Sequence, residues 1–164
     1  MITLRPWRIE DLSSLVNYAN NPKIAARLTD AFPYPYTEED GNRFIEMASN
    51  QDPVLIFAID LDGEAIGGIG LHPKSDIDRL NAELGYWLAE PFWGRGIMSK
   101  AIHMMIEIGF KSLAVTRIYA RPFGSNIASQ RVLEKSGFVL EGRFDKVLIK
   151  NDVLEDELIY AVRR

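Results

Sequence analysis

The chain contains no cysteine and only two histidines, His72 and His103, among its 164 residues. Without thiols there can be no disulfide framework, no thiolate metal site and no covalent cysteine intermediate. Two isolated histidines without matching carboxylates do not make a metal site, so no metal is expected. No uncharged apolar run approaches the roughly 18 residues of a membrane span. The opening MITLRPWRIEDL lacks the basic start and apolar stretch of a secretion signal, so the expected location is cytoplasmic, away from any membrane. Positive charge is not in excess either. Against 23 Asp and Glu there are 19 Lys and Arg, giving a net charge of -4, the wrong sign for holding nucleic acid through the overall field. A cationic amine suits that balance better.

What is present is a globular composition, 47% hydrophobic and 26% charged, enough for one domain over residues 1–164 with a substantial core. Nothing in the sequence indicates whether it works as a monomer or a homodimer.

Periodicity and punctuation divide the chain. Residues 1–5 read as a strand and residues 9–20 as an amphipathic helix with Leu12, Leu15 and Val16 on one stripe. Asn21 and Pro22 suit the cap and first position of a second short helix, expected to end near Thr29. Residues 30–36 carry two prolines and three aromatics, a semi-rigid loop presenting Phe32, Tyr34 and Tyr36. Thr37 with Asp40 resembles a capping box opening a helix to about Ser49. Residues 54–60 and 64–71 flank Asp62-Gly63 as an antiparallel hairpin.

A strand over 81–88 precedes a broken stretch at 91–94 and a helix over 97–111. That helix is apolar nearly all round, with Lys100, His103, Glu107 and Lys111 as its polar stripe. Residues 115–121 form another strand and 126–136 a helix stopped by Gly137. Two strands, 138–149 and 153–162, close the chain. The resulting order is a mixed α/β (α+β) sheet with a strand-helix-strand crossover in its second half.

The most informative stretch runs from Tyr86 to Ser99, where a strand enters a two-glycine loop that opens the long helix. The first turn of a helix offers unpaired amides and the positive end of the macrodipole, and glycines let a ligand approach the backbone. This is a diphosphate cradle, to which Arg95 adds a charged fork and Ser99 a hydroxyl. A tight structural turn is the rival reading. Neither a Walker loop nor a dinucleotide fingerprint fits the spacing.

The series ITLRPWRIEDL, FPYPYTEED, AELGYWLAEPFWGRGIMSKA, SNIASQRVLEKSGF and DELIYAV, in that order, resembles the GNAT superfamily of N-acetyltransferases, in its RimJ/RimL-like branch. The resemblance implies a mostly antiparallel seven-stranded sheet flanked by helices and splayed between the fourth and fifth strands. It also implies acetyl-CoA as co-substrate. Trp93, Gly94, Arg95, Gly96, Ile97, Met98 and Ser99 would hold the diphosphate, with Trp93 and Met98 departing from the general family pattern. Trp87 and Leu88 would present backbone groups to the pantetheine arm, which pairs like an added strand. Asn126 would contact that arm and Ser129 face the thioester sulfur, although capping is a sufficient role for Asn126. Where many members carry a tyrosine acid, this chain has Leu133, so that role does not carry over.

Direct acetyl transfer to an amine needs a proton acceptor, an oxyanion donor and tolerance of a thiolate. Glu83 is the candidate acceptor, acting through a water. It lies inside a strand, where Glu is disfavoured, on the face of Gly85 and Trp87. A solvated or salt-bridged Glu is the alternative. Phe32, Tyr34 and Tyr36 are candidates for acceptor binding, with core packing as their other reading. The acceptor is a peptide N-terminus or a small-molecule amine. A non-catalytic acyl-CoA sensor or partner-binding module is the competing function.

Overall fold

Seven strands and five helices make up the computed structural model, which describes residues 1–164. The strands are β1 (Ile2–Pro6), β2 (Ile56–Leu61), β3 (Glu64–Pro73), β4 (Asn81–Leu88), β5 (Arg117–Ala120), β6 (Val139–Lys150) and β7 (Val153–Arg163). The helices are α1 (Leu12–Ala19), α2 (Pro22–Ala25), α3 (Glu38–Ser49), α4 (Ile97–Ser112) and α5 (Ile127–Lys135). The strands form one sheet in the order β1-β2-β3-β4-β5-β7-β6. Pairing is antiparallel in β1-β2, β2-β3, β5-β7 and β6-β7, and parallel between β4 and β5, the pair joined through α4. That parallel register covers Asn81–Glu83 against Arg117–Tyr119 and stops there, while β4 runs on to Leu88. This is the mostly antiparallel, splayed α/β sheet expected from the sequence. No helix is long and apolar enough to cross a membrane.

Contacts resolve two compact units, each assembled from two stretches of chain. The first comprises Met1–Gly70 and Tyr86–Ala101. Its core gathers Trp7, Leu15, Tyr36, Ile45 and Ile56, with Phe32, Phe44 and Trp87 packed against them. Thr37 and Asp40 form the expected capping box, so α3 starts where the sequence indicates. Two helix boundaries differ from expectation. Residues 9–11 form a 3-10 turn before α1, because the Asp11 carboxylate accepts the Arg8 amide at 3.0 Å and both terminal nitrogens of the Arg5 guanidinium at 2.8 Å. The second helix stops at Ala25, and i to i+3 bonds from the Arg27 and Leu28 amides replace the expected α-turns.

The second unit comprises Leu71–Gly85 and Ile102–Arg164. Ile102, Met105, Ile118, Leu133 and Leu158 are fully buried there, each worth about 1.5–3 kcal/mol of apolar burial. Gly109 allows α4 close approach, since a Cβ at that position would lie 2.6 Å from Leu71 Cδ1 and 2.9 Å from Ile118 Cδ1. The strand expected over 115–121 is shorter, at Arg117–Ala120. The β6-β7 hairpin turns through Asn151 and Asp152, both with positive φ (50° and 63°), the conformation of a tight two-residue turn that matches strand twist.

Candidate active site

The turn between β4 and α4 lies in the first unit. A 3-10 turn, Glu90–Phe92, leads to Trp93, whose indole Nε1 donates back to the Leu88 carbonyl at 2.7 Å. Gly94 and Gly96 then take φ of 72° and 73°, a left-handed conformation that L side chains rarely adopt. A Cβ on either would meet no atom within 4 Å, so the backbone here is open to an approaching group. The first ladder bond of α4 runs from the Lys100 amide to the Gly96 carbonyl at 3.3 Å, which leaves the amides of Ile97 and Met98 outside the helix's own hydrogen-bond ladder. Their side chains are buried, and Ser99 is half-buried. The Arg95 guanidinium stacks over Phe92, 5.4 Å from the ring centre. An open glycine turn, helix amides and an exposed arginine fit an anionic diphosphate.

The end of β4 is built over glycines. A Cβ at Gly67 would lie 2.5 Å from the Trp87 carbonyl oxygen, and one at Gly68 would lie 2.7 Å from the Trp87 indole nitrogen. Only glycine in β3 lets Trp87 lie that close. Leu88 is buried, and the following Ala89 amide donates to Ile66 at 2.8 Å. Phe32 contacts Trp87 edge-on, with ring centres 5.8 Å apart, and Tyr36 at 5.2 Å. The three loop aromatics therefore part company. Tyr36 is a core residue, 5% exposed, and burial pushes its phenol up to about 12. Phe32 is half-buried, and Tyr34 stands 54% exposed.

Glu83 lies in the second unit at the centre of an ion-pair network. Arg121 Nε donates to Oε1 at 2.8 Å and Lys74 Nζ to Oε2 at 3.1 Å, with the Tyr119 hydroxyl 3.5 Å from Oε2. Arg121 also reaches Glu157 at 3.1 Å. Burial favours the neutral form of Glu83, but the hydrogen bonds from Arg121 and Lys74 outweigh it and hold the carboxyl below its ordinary value. The carboxylate is therefore ionised at neutral pH and only weakly basic.

In the same unit, residues Arg121 to Asn126 follow the edge of β7. Leu158 donates to Pro122 at 3.1 Å, Gly124 to the Asp156 carbonyl at 2.9 Å, and the Ser125 hydroxyl to Glu155 at 2.7 Å. This places Asn126 at the cap of α5, its Oδ1 accepting the Ser129 amide at 3.3 Å. Ser129 is half-buried one turn into the helix. Leu133, one turn further, is fully buried.

The sequence-derived candidates thus form two groups. Phe32, Trp87, Leu88 and the Trp93–Ser99 turn belong to the first unit, while Glu83, Asn126 and Ser129 belong to the second. The cations that hold Glu83 were not foreseen. Lys74 and Arg121 carry no local motif, and Arg121 is 38 positions from its partner.

Comparison with known proteins identifies the family. The acetyltransferase (GNAT) domain profile matches residues 1–139. The Escherichia coli ribosomal-protein-serine acetyltransferase is 30% identical over 128 residues, covering 76% of this chain and 71% of that protein. The microcin self-immunity acetyltransferase MccE, solved with acetyl-CoA and AMP, superposes with a TM-score of 0.80 at 29% identity, covering 99% of this chain and 92% of the other. RimL, a ribosomal α-N-protein acetyltransferase solved with coenzyme A, shares the fold with a TM-score of 0.86 at 22% identity, covering 99% and 93%. The chain belongs to the GNAT acetyltransferases, within the RimJ/RimL-like branch, and is an acetyl-CoA-dependent acetyltransferase.

Proposed function

We propose that residues 1–164 act as one catalytic domain that transfers acetyl directly to a primary amine, in a ternary complex and without an acyl-enzyme intermediate. The observation that carries this reading is the open turn at Gly94 and Gly96, whose left-handed glycines expose backbone at the head of α4. Trp93 to Ser99 hold the diphosphate, with the amides of Ile97 and Met98 and the Arg95 guanidinium as donors. Trp87 and Leu88 present backbone groups to the pantetheine arm beyond the point where β4 leaves β5. Asn126 and Ser129 serve the pantetheine and sulfur end. Acetyl-CoA, when bound, supplies an acyl group already activated as a thioester.

The chain's residues then have two tasks. The first is to bring a neutral amine in line with the acyl carbon, and such positioning can remove about 7–11 kcal/mol of barrier. The second is to clear the proton. Glu83 is ionised and receives it through a water, passing it on to solvent because its own affinity for the proton is low. Ser129 donates a hydrogen bond to the departing sulfur. A thiol pKa of about 8.5 makes that group a tolerable leaving group without a strong acid. The absence of cysteine supports direct transfer.

For the acceptor, we favour a peptide N-terminus, in line with the ribosomal-protein-serine acetyltransferase among the relatives. Phe32 and Tyr34 line its approach, while Tyr36 supports Phe32 from the core. A small-molecule amine is the second reading, suggested by the Escherichia coli spermidine N(1)-acetyltransferase, to which the chain is 24% identical over 147 residues, covering 86% of this chain and 74% of that protein. Thiol release from acetyl-CoA is measured against peptides with free N-termini and against polyamines. Turnover on peptides alone supports the first reading, and turnover confined to small amines replaces it. Failure to release thiol with any amine removes the proposal.

A further inference from the structure

We infer that Glu90, oriented by Asn21, is a positioning residue for coenzyme binding that sets how the chain enters the Trp93–Ser99 turn. The inference rests on reading that turn as the diphosphate cradle.

The turn does little to hold its own shape. Gly94 and Gly96 have no atom near a would-be Cβ, and glycine loses more conformational freedom on ordering than any other residue. Restraint has to come from the two ends. At the exit, α4 begins. At the entry, Glu90 is tied in three ways. Its Oε2 accepts from Asn21 Nδ2 at 2.8 Å, its Oε1 from Lys23 Nζ at 2.6 Å, and its backbone carbonyl from the Trp93 amide at 3.1 Å.

Asn21 is well suited to orient a partner because both ends of its amide are used. Oδ1 accepts the Lys23 amide at 2.9 Å as the cap of α2, which fixes the rotamer and therefore the direction of Nδ2. The next residues of the entry segment are gripped from the same side. Tyr18 meets Phe92 edge-on at 5.9 Å, and Phe92 carries Arg95 on its face. The first helices thus hold the approach to the turn, and the ordering entropy of the glycines is partly met before any ligand arrives.

Of these ties, the one from Lys23 contributes little, since its side chain is 66% exposed against 37% for Glu90. The bond from Asn21 supplies the direction.

The test is calorimetric titration with coenzyme A, together with KM and kcat for acetyl-CoA. Asn21→Ser keeps a capping oxygen but loses the donor to Glu90, and Glu90→Ala loses the acceptor. Each is expected to weaken coenzyme A by about ten-fold, with the loss in KM and not in kcat. The double variant should be no worse than either single one, since both remove the same bond. Glu90→Gln, which retains an oxygen for Asn21, should recover to within about three-fold, and Lys23→Ala should stay within about two-fold. Circular dichroism establishes that each variant is folded, and Glu90→Gln provides the comparison if Glu90→Ala is not.

Unchanged affinity in Asn21→Ser and Glu90→Ala, or losses that simply add, overturns the role of Glu90 and leaves the diphosphate cradle standing. A wild-type chain that does not bind coenzyme A removes the cradle and, with it, this inference.

Discussion

Arg121 donates from Nε to Glu83 Oε1 at 2.8 Å, and with Lys74 it reverses the effect of burial on that carboxyl. The sign has consequences for pH dependence. A carboxyl held below its ordinary value contributes stability above the unfolded value of about 4.3. That contribution is lost as pH falls through the lower folded value.

The rate should therefore show no titration of Glu83 near neutrality in the wild type, with the upward limb belonging to the amine. Arg121→Gln removes the strongest restraint and leaves burial opposed only by Lys74, so the acid limb of kcat/KM should move to higher pH. Carbon-13 NMR of the carboxyl should move in parallel. Superimposable profiles for wild type and variant would detach Glu83 from the proton path. Glu83→Gln should lower turnover while sparing coenzyme A affinity.

Gly96 separates backbone conformation from charge. With φ at 73° and open space around the position, Gly96→Ala meets no clash and costs about 1–2 kcal/mol in conformation. Gly96→Asp adds a carboxylate where we place the diphosphate. Calorimetry should show coenzyme A affinity several-fold lower for Ala and at least about ten-fold lower again for Asp. Equal affinities for the two variants would mean that no anion binds there.

Gly124 packs against Asp156. A Cβ added there would lie 2.8 Å from Asp156 Cβ, an atom fixed to the backbone of β7. Asp156 is itself held by Arg143 at 2.6 Å and by the Lys146 amide at 2.9 Å, so it cannot yield. Gly124→Ala should cost about 1–3 kcal/mol of stability. It should also depress acetylation by shifting the segment that delivers Asn126. Thermal denaturation followed by circular dichroism, with activity assayed well below the midpoint, separates the two effects.

Leu133 occupies the position where many family members carry a tyrosine, yet it is fully buried. Leu133→Tyr should not create a proton donor. The larger ring overpacks a closed site at a cost of about 1–3 kcal/mol, and kcat should not rise. A gain in kcat with a new basic limb in the pH profile would show that the position opens towards the reacting groups.

The legibility of the fold followed the range of the interaction. β4 coincides with the strand expected over 81–88 ahead of the broken stretch at 91–94, and α3 opens at Thr37 and Asp40, because both signals lie within a few residues of the feature they specify. Helix ends were less legible. The 3-10 turn before α1 depends on Arg5 and Asp11 meeting across a chain reversal, and the stop of α2 at Ala25 goes with i to i+3 bonds from the Arg27 and Leu28 amides. The aromatic loop showed the same division. Its prolines and aromatics mark a loop, but nothing local separates buried Tyr36 from exposed Tyr34.

The sequence alone determined the order of elements, the glycine turn at the head of α4, the capped start of α5 and, through the missing thiols, a chemistry without a cysteine intermediate. Each depends on backbone preference or side-chain inventory, which act over short spans. The tertiary structure decided that Glu83 is clamped between two cations and that Asn21 meets Glu90, 69 positions away. It also decided that Leu133 is sealed in the core. Pairings of that kind have no local code, because they exist only once packing has brought distant strands and helices within hydrogen-bond reach.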